Sequence, residues 1–374
     1  MYYLLLLTYY YNLITSKQRP PHMPTYFPYE LDRLTFTKQT GDTDIDLILN
    51  GSDILSTTLT PNDKGQIVLT DMGRYIAESV EQARKASQYP NSFAKQTLEV
   101  RVHGAEEAAY TIRPCRSRMR ATAEKLLPTM FLTMASGGTK YVPLSAESEY
   151  LYLLSDDTTG AYDYTLTAYW LNTKTLQLQT TTSEGGGSAQ PGQVVRIDAT
   201  PSRQTPPDAS GQWQLVRIDV TSGERSITLQ TPPEGLAQAP ATTLQFVNSF
   251  GLIETFYLLG QLEREIKPTY STALIEGRQT NYYIESNPTY KAATGPLTDA
   301  TIALLHDLAT STEVTHEGRA ITLTAIDLKP SNAYAEQQKA SVSWRETTEG
   351  GSVEPDRPKG TFDATFDATF DRTT

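Results

Sequence analysis

The chain has 374 residues, with 32 basic and 43 acidic side chains and a formal charge of −11, enough length for two or three domains. Its short basic cluster, Arg113, Arg116, Arg118 and Arg120, is too small a stripe to neutralise nucleic-acid phosphates, so nucleic acid is excluded as the main partner and the cluster is expected to feed surface ion pairs or a polar interface. A single cysteine, Cys115, excludes an internal disulfide framework and a cysteine zinc site.

Residues 1–22 open with MYYLLLLTYYYNLI, which is apolar but too short to cross a bilayer as a helix. The stretch lacks the charged start and small-residue cleavage site of a signal peptide. It is expected to be a spurious or disordered extension, with Met23 as the working start. No membrane partner is expected.

From there the 22 tyrosines, 22 prolines and 23 glycines favour strands punctuated by turns. Two apolar-alternating runs flank Asn50-Gly51, a dipeptide that tolerates positive φ at both turn positions, so a hairpin is predicted there. A helix is predicted over about 71–88, capped by Asp71, with Tyr75, Ile76, Ser79, Val80 and Ala83 as its apolar stripe. TLEVRVH and AAYTIR form a strand pair around Gly104. The bland reading of Cys115 is a small buried side chain beside Pro114.

Residues 116–135 begin helix-prone and are broken at Pro128. Strands resume at 141, with Tyr150 and Tyr152, and Tyr162 and Tyr164, each sharing a strand face. Cross-strand aromatic packing is the favoured use of these rings, with a ligand surface as the alternative. Glu184-Gly185-Gly186-Gly187-Ser188 reads as a flexible break. VRIDAT at 195–200 is echoed by VRIDVT at 216–221, two half-exposed strands with paired Arg and Asp on the polar face. Beyond a second break at 232–240, the pattern is strand-rich. Pro296 is placed in the first turn of a helix over 296–310, and strands follow.

The chain ends GTFDATFDATFDRTT. In an extended strand this period keeps Phe362, Phe366 and Phe370 on one face, with Thr and Asp on the other. Those three phenylalanines are the candidate protein-interaction residues, as an arm that adds a strand to a neighbouring subunit; a frayed polar tail is the alternative.

No catalytic constellation is visible. Ser136-Gly137-Gly138-Thr139-Lys140 lacks the Walker order. The carboxylate pairs Asp156-Asp157 and Glu263/Glu265 are adjacent rather than opposed across a cleft. His22, His103, His306 and His316 show no metal-ligand spacing. No catalytic residue, metal or cofactor is assigned.

Several segments together, ILSTTLTPNDKGQIVLTDMGRYI, KYVPLSAESEYLYLLS, LQFVNSFGLIETFYLLG, NYYIESNPTYKAATGPLTDATIALLHDLATSTEV and the TFDATFD ending, carry a family likeness. The chain resembles virion structural proteins of tailed phages and prophages of Bacteroides-type bacteria. The resemblance covers most of 24–374, with Phe246–Glu254, Tyr282–Val314 and the tail as its best parts, and the 184–240 insert departing from the pattern. It implies a tail or baseplate building block located in the virion and assembled in the bacterial host cytoplasm. Its partners would be itself and other phage tail proteins. A host-surface glycan or receptor is the alternative partner, resting on the tyrosines and on Trp170, Trp213 and Trp344.

The expected fold is mainly β: several small antiparallel β-sandwich-like domains with one or two short helices. Boundaries are expected at 1–22, at 23–115 for a β domain with the hairpin and one helix, and at 116–184 for a β-rich middle. A flexible insert with a hairpin follows at 185–240, then a C-terminal β domain with its helix at 241–350, and an extended tail at 351–374. Core candidates are Ile45, Leu47, Leu49, Ile54, Val100, Leu151, Leu153, Phe246, Val247, Phe256, Leu304, Leu305 and Ile321.

Overall fold

The computed structural model describes residues 24–37, 41–86, 93–232, 241–275, 278–285, 288–328 and 340–347. The N-terminal stretch 1–22 and the terminal repeat with Phe362, Phe366 and Phe370 lie outside the described residues. The fold is mainly β, with 49% of the described residues in strands and 13% in helices, in several small sheets of mostly antiparallel strands.

The first sheet runs in the order β1 (Thr25–Tyr26), β7 (Ala105–Ile112), β6 (Gln96–Val102), β3 (Thr43–Leu49), β4 (Ser52–Leu59). A smaller pair, β2 (Leu34–Thr37) with β5 (Gln66–Leu69), and helix α1 (Met72–Ala86) cover one face of it. Strand alternation sends Ile45, Leu47, Leu98 and Val100 inward, where Ile76 and Val80 of α1 meet them. Asn50 and Gly51 join β3 to β4 with φ of 51° and 83°, the geometry that matches strand twist in a two-residue turn. Asp71 is not the helix cap. It sits at φ 59°, and the first amides of α1 are taken instead by Asp32: its carbonyl accepts from Met72 N–H (3.1 Å) and its Oδ1 from Gly73 N–H (3.3 Å). A carboxylate from another element serves the same orphan donors.

The second sheet has the order β11 (Leu178–Ser188), β10 (Ala161–Asn172), β13 (Trp213–Ser222), β14 (Arg225–Gln230), β8 (Thr139–Tyr141). A separate pair, β9 (Tyr150–Leu154) with β12 (Val194–Asp198), shares its core, in which Leu151, Leu153 and Ile197 meet Leu166, Ile218 and Leu229. The VRID echoes therefore fall in different sheets.

The stretch Glu184–Ser188 is not a flexible break. It is the second half of β11, with Tyr164 opposite Gly185 and Tyr162 opposite Gly187. The glycines are what makes the pairing possible. A Cβ on Gly185 would stand 2.2 Å from the Tyr164 ring, and one on Gly187 would stand 3.0 Å from the Tyr162 hydroxyl. The rings lie where side chains would be and cover backbone that glycine leaves bare. Residues 194–230 likewise do not form a separate insert; their strands are built into the same core as β9 and β10.

The third sheet has seven strands in the order β16 (Ile253–Leu258), β15 (Thr242–Val247), β21 (Val314–His316), β22 (Arg319–Leu328), β23 (Ala340–Glu346), β20 (Thr289–Ala293), β17 (Leu262–Glu265). Helix α3 (Asp299–Thr310) packs Leu304, Leu305 and Leu308 against Phe246, Phe256 and Trp344. It begins three residues later than the sequence predicts, because Thr298 rather than Pro296 organises its start: Thr298 Oγ1 accepts from Thr301 N–H at 3.1 Å. Strands β18 (Thr269–Ile275) and β19 (Arg278–Glu285) form a two-stranded hairpin of their own. A short helix, α2 (Ala123–Leu126), lies in the connector between the first and second sheets. Of the core candidates, Ile54 alone is half-buried, on the outermost strand β4; the others are buried.

The glycine–tyrosine fit in β11 is expected to be measurable. Gly185→Ala should lower unfolding free energy by about 1–3 kcal/mol, the usual cost of overpacking. In a Tyr164→Ala background the same change should cost much less. Equal costs in the two backgrounds, read by denaturant titration, would show that the ring and the glycine are not coupled.

Candidate functional site

The three sheets meet around the connector that follows β7. A junction core takes Phe27, Phe93 and Cys115 from the first unit, Leu132 from the connector, Leu154 from the second and Phe250 from the third. Polar groups reach across the same place, Arg113 and Arg116 of the arginine cluster among them.

Arg113 is 2% exposed. Its Nη1 donates to Phe93 O (2.8 Å) and its Nη2 to Gly192 O (2.9 Å), with Asp157 Oδ1 at 3.5 Å and the Phe93 ring beneath it. Burial pulls this guanidinium below its ordinary pKa, against the attraction of Asp157. Arg116 turns to the third unit. Its Nη2 donates to Asp307 Oδ1 at 3.0 Å and to Val247 O at 3.3 Å. Asp307, buried on the apolar side of α3, also accepts from Ser249 N–H (3.0 Å) and Ser249 Oγ (2.6 Å). Arg118 returns to the first unit, with Asp32 Oδ2 at 2.7 Å. Of the two readings of the cluster, the polar interface is the one that Arg113 and Arg116 take; Arg120 is exposed.

Two further cations fix the junction. Arg225 of β14 donates to the carbonyls of Met130 (3.1 Å), Leu127 (2.9 Å) and Leu154 (3.3 Å), tying the second sheet to the connector. Lys140 of β8 donates to Glu149 Oε1 at 2.7 Å and lies 3.6 Å from Glu254 of β16. Tyr257 donates to Glu149 Oε2 (3.0 Å), while Thr133 and Asn248 donate to Glu254. All three charged groups are buried, so the cluster bolts the second sheet to the third. Burial opposes the Lys140 charge, but Glu149 and Glu254 reverse that and raise its pKa. Burial pushes the Glu254 carboxyl up, against the pull of Lys140 and its hydrogen bonds.

The other sequence candidates are dispersed. Asp156 caps its own turn, accepting from Thr158 and Thr159, while Asp157 faces Arg113 and Lys95. Glu263 and Glu265 lie along the exposed strand β17. His316 packs beside Trp344, and His306 is exposed on α3. Cys115 is buried, its thiol pushed up to about 12 by burial and so protonated at neutral pH. Trp170 and Trp344 are core residues and Trp213 is half-buried against the second core. Among the described residues no group of three or more His, Cys, Asp and Glu is placed to hold a metal ion, and no helix is long and apolar enough to cross a membrane.

Two shallow clefts open on the surface. One, of about 240 Å³, lies between the first and second units beside Phe93, Lys95, Arg113 and Gly192. The other, of about 330 Å³, lies beside β11. The buried ions at the junction escaped the sequence reading, although a signal exists. Glu254 shares strand parity with Phe256 and Leu258, and Asp307 sits among Leu304, Leu305 and Leu308; a lone charge on an apolar face must find a partner.

Two outcomes follow from these ions. Arg116→Met should cost about 3–5 kcal/mol, because Asp307 stays buried without its cation. Arg118→Met, an exposed pair, should cost under about 1 kcal/mol. Similar losses for both in chemical denaturation would contradict the junction geometry. Because the folded Glu254 pKa is raised, its contribution is fully present below the ordinary carboxyl value and is lost as pH rises through the folded value. Glu254→Gln should therefore flatten the fall in stability with rising pH, and an unchanged pH profile would contradict the assignment.

Searches against protein-family models and against the curated proteins each return no match for this chain.

Proposed function

We propose that the chain is a non-enzymatic structural protein of a bacteriophage virion, a tail or baseplate component that assembles with itself and with neighbouring tail proteins. The observation that carries this reading is the pairing of a locked three-unit body with unpaired strand edges. Among the described residues, strand β11 ends its sheet, β17 ends another and is exposed along its whole length, and the hairpin β18–β19 joins no larger sheet. A two-stranded hairpin alone is marginal in water, and long free edges invite pairing with another chain. A body held by buried ions presents such edges at fixed positions, which is what a repeated building block needs.

The resemblance to virion proteins of Bacteroides-type phages and prophages supports the same reading, as does the patterned terminal segment with Phe362, Phe366 and Phe370. Assembly in the host cytoplasm and residence in the phage tail follow from it. Of the tryptophans on which a glycan-binding alternative rests, Trp170 and Trp344 are committed to cores.

Mass spectrometry of particles purified from an induced host should find the chain at structural copy number. Deleting residues 360–374 should reduce its incorporation. A chain absent from particles and monomeric in solution would contradict the proposal.

A further inference from the structure

We propose that the free edge of β11 is the acceptor for residues 361–371 of a second copy of this chain, which add as a strand with their phenylalanines turned toward the second core. The proposal rests on the reading of the chain as a self-assembling subunit and deepens it by naming both partners of the contact.

The acceptor is unusual for an edge. Strand β11 runs from Leu178 to Ser188, is paired on one side by β10, and has no strand on its other side among the described residues. Natural edges are blunted by short length, charge or proline. This one is long, contains no proline and carries one charge, Glu184. Leu176 and Leu178, where it begins, are 73% and 58% exposed.

Beside it, on the face continuous with the core, lies the cleft of about 330 Å³. Leu166 is its one apolar wall, Thr181, Thr182 and Ser183 continue that side, and Arg203, paired with Asp198, faces them with Gln204 and Thr205. The cleft keeps its shape because Trp170 Nε1 donates to Thr181 Oγ1 (2.9 Å), and Thr181 Oγ1 donates to Thr205 O (3.0 Å). Farther along the same face, Gly185 and Gly187 present the rings of Tyr164 and Tyr162 in place of side chains. A strand laid along this edge thus meets first a cleft and then an aromatic surface.

The sequence of the donor matches both. In TFDATFDATFD, residues 362, 364, 366, 368 and 370 are Phe or Ala, and the alternate positions are Thr or Asp. An added strand puts the first set on the core face and the second beside Thr180, Thr182 and Glu184 on the solvent face. Phenylalanines four apart recur about every 13 Å along a strand. The cleft at Ser183 and the bare backbone at Gly187 are also four residues apart, so consecutive phenylalanines reach one each. Donor and acceptor are both 11 residues long.

A second copy is the occupant that fits a self-assembling subunit: the described chain ends at Thr347 on the seven-stranded sheet, and the acceptor edge lies on a different sheet. Residues 348–360, TEGGSVEPDRPKG, have the Gly, Pro and charge content of a spacer between bodies. Since donor and acceptor are different surfaces, the contact is head-to-tail and propagates into rings or filaments.

The test uses the full-length chain with Phe366→p-benzoylphenylalanine, irradiated as a mixture of isotopically light and heavy copies. The expected product joins a light to a heavy chain, with the attachment within residues 178–188 or 203–205. An attachment within one chain, one elsewhere, or no crosslink would overturn the proposal. In parallel, the full chain carrying Phe362→Ser, Phe366→Ser and Phe370→Ser should self-associate about tenfold more weakly or worse, with unchanged circular dichroism. Unchanged association would also overturn it. The inter-chain crosslink in a chain that is absent from virions would sustain this contact while defeating the virion reading, so the two fail separately.

Discussion

The burial of cations against oxygen atoms from more than one sheet is the constraint on which the rest of this structure depends. Arg113 and Arg116 lie in one short run of chain and point to different units, one to Gly192 O and the other to Asp307. Lys140, Glu149 and Glu254 repeat the arrangement between the second and third sheets. Each of these groups is expensive to bury alone and acceptable when paired. The ions therefore act as a selection rule: a junction with its sheets shifted leaves uncompensated charge, so a single arrangement of the three units is favoured. Apolar packing of Phe93 and Phe250 fills the space between them.

Rigidity at the centre gives meaning to what lies at the periphery. Strand β11 is the most exposed long strand of its sheet, and it is also the place where the sequence spends three consecutive glycines. The tyrosines of β10 occupy the room those glycines leave, so the strand stays paired to Ser188 while its face remains smooth.

Much of the fold was legible because local rules and tertiary packing agree. Asn50-Gly51 reads as a hairpin turn and is one, and the alternation of Ile45, Leu47 and Leu49 places them in the core. Where the reading failed, the competing interaction is identifiable. A glycine run looks flexible by composition, yet Tyr162 and Tyr164 on the neighbouring strand hold it. Asp71 looks like a helix cap, yet Asp32, remote in sequence, takes the amides. The Arg cluster was visible as a cluster, but its directions were not, since they depend on Asp307 and Gly192, far along the chain. The phenylalanines of the terminal repeat stand out by period alone, and the β11 edge proposed to receive them is visible only in its register with β10.

The most direct measurement is an electron cryomicroscopy reconstruction of the assembled particle at side-chain resolution. The account predicts the three-unit body repeated without internal rearrangement, Arg116 on Asp307 in every copy, and density for an additional strand beside Leu178–Ser188 that traces to a neighbouring chain. A reconstruction in which these units separate, or in which that edge faces solvent in every copy, would contradict it.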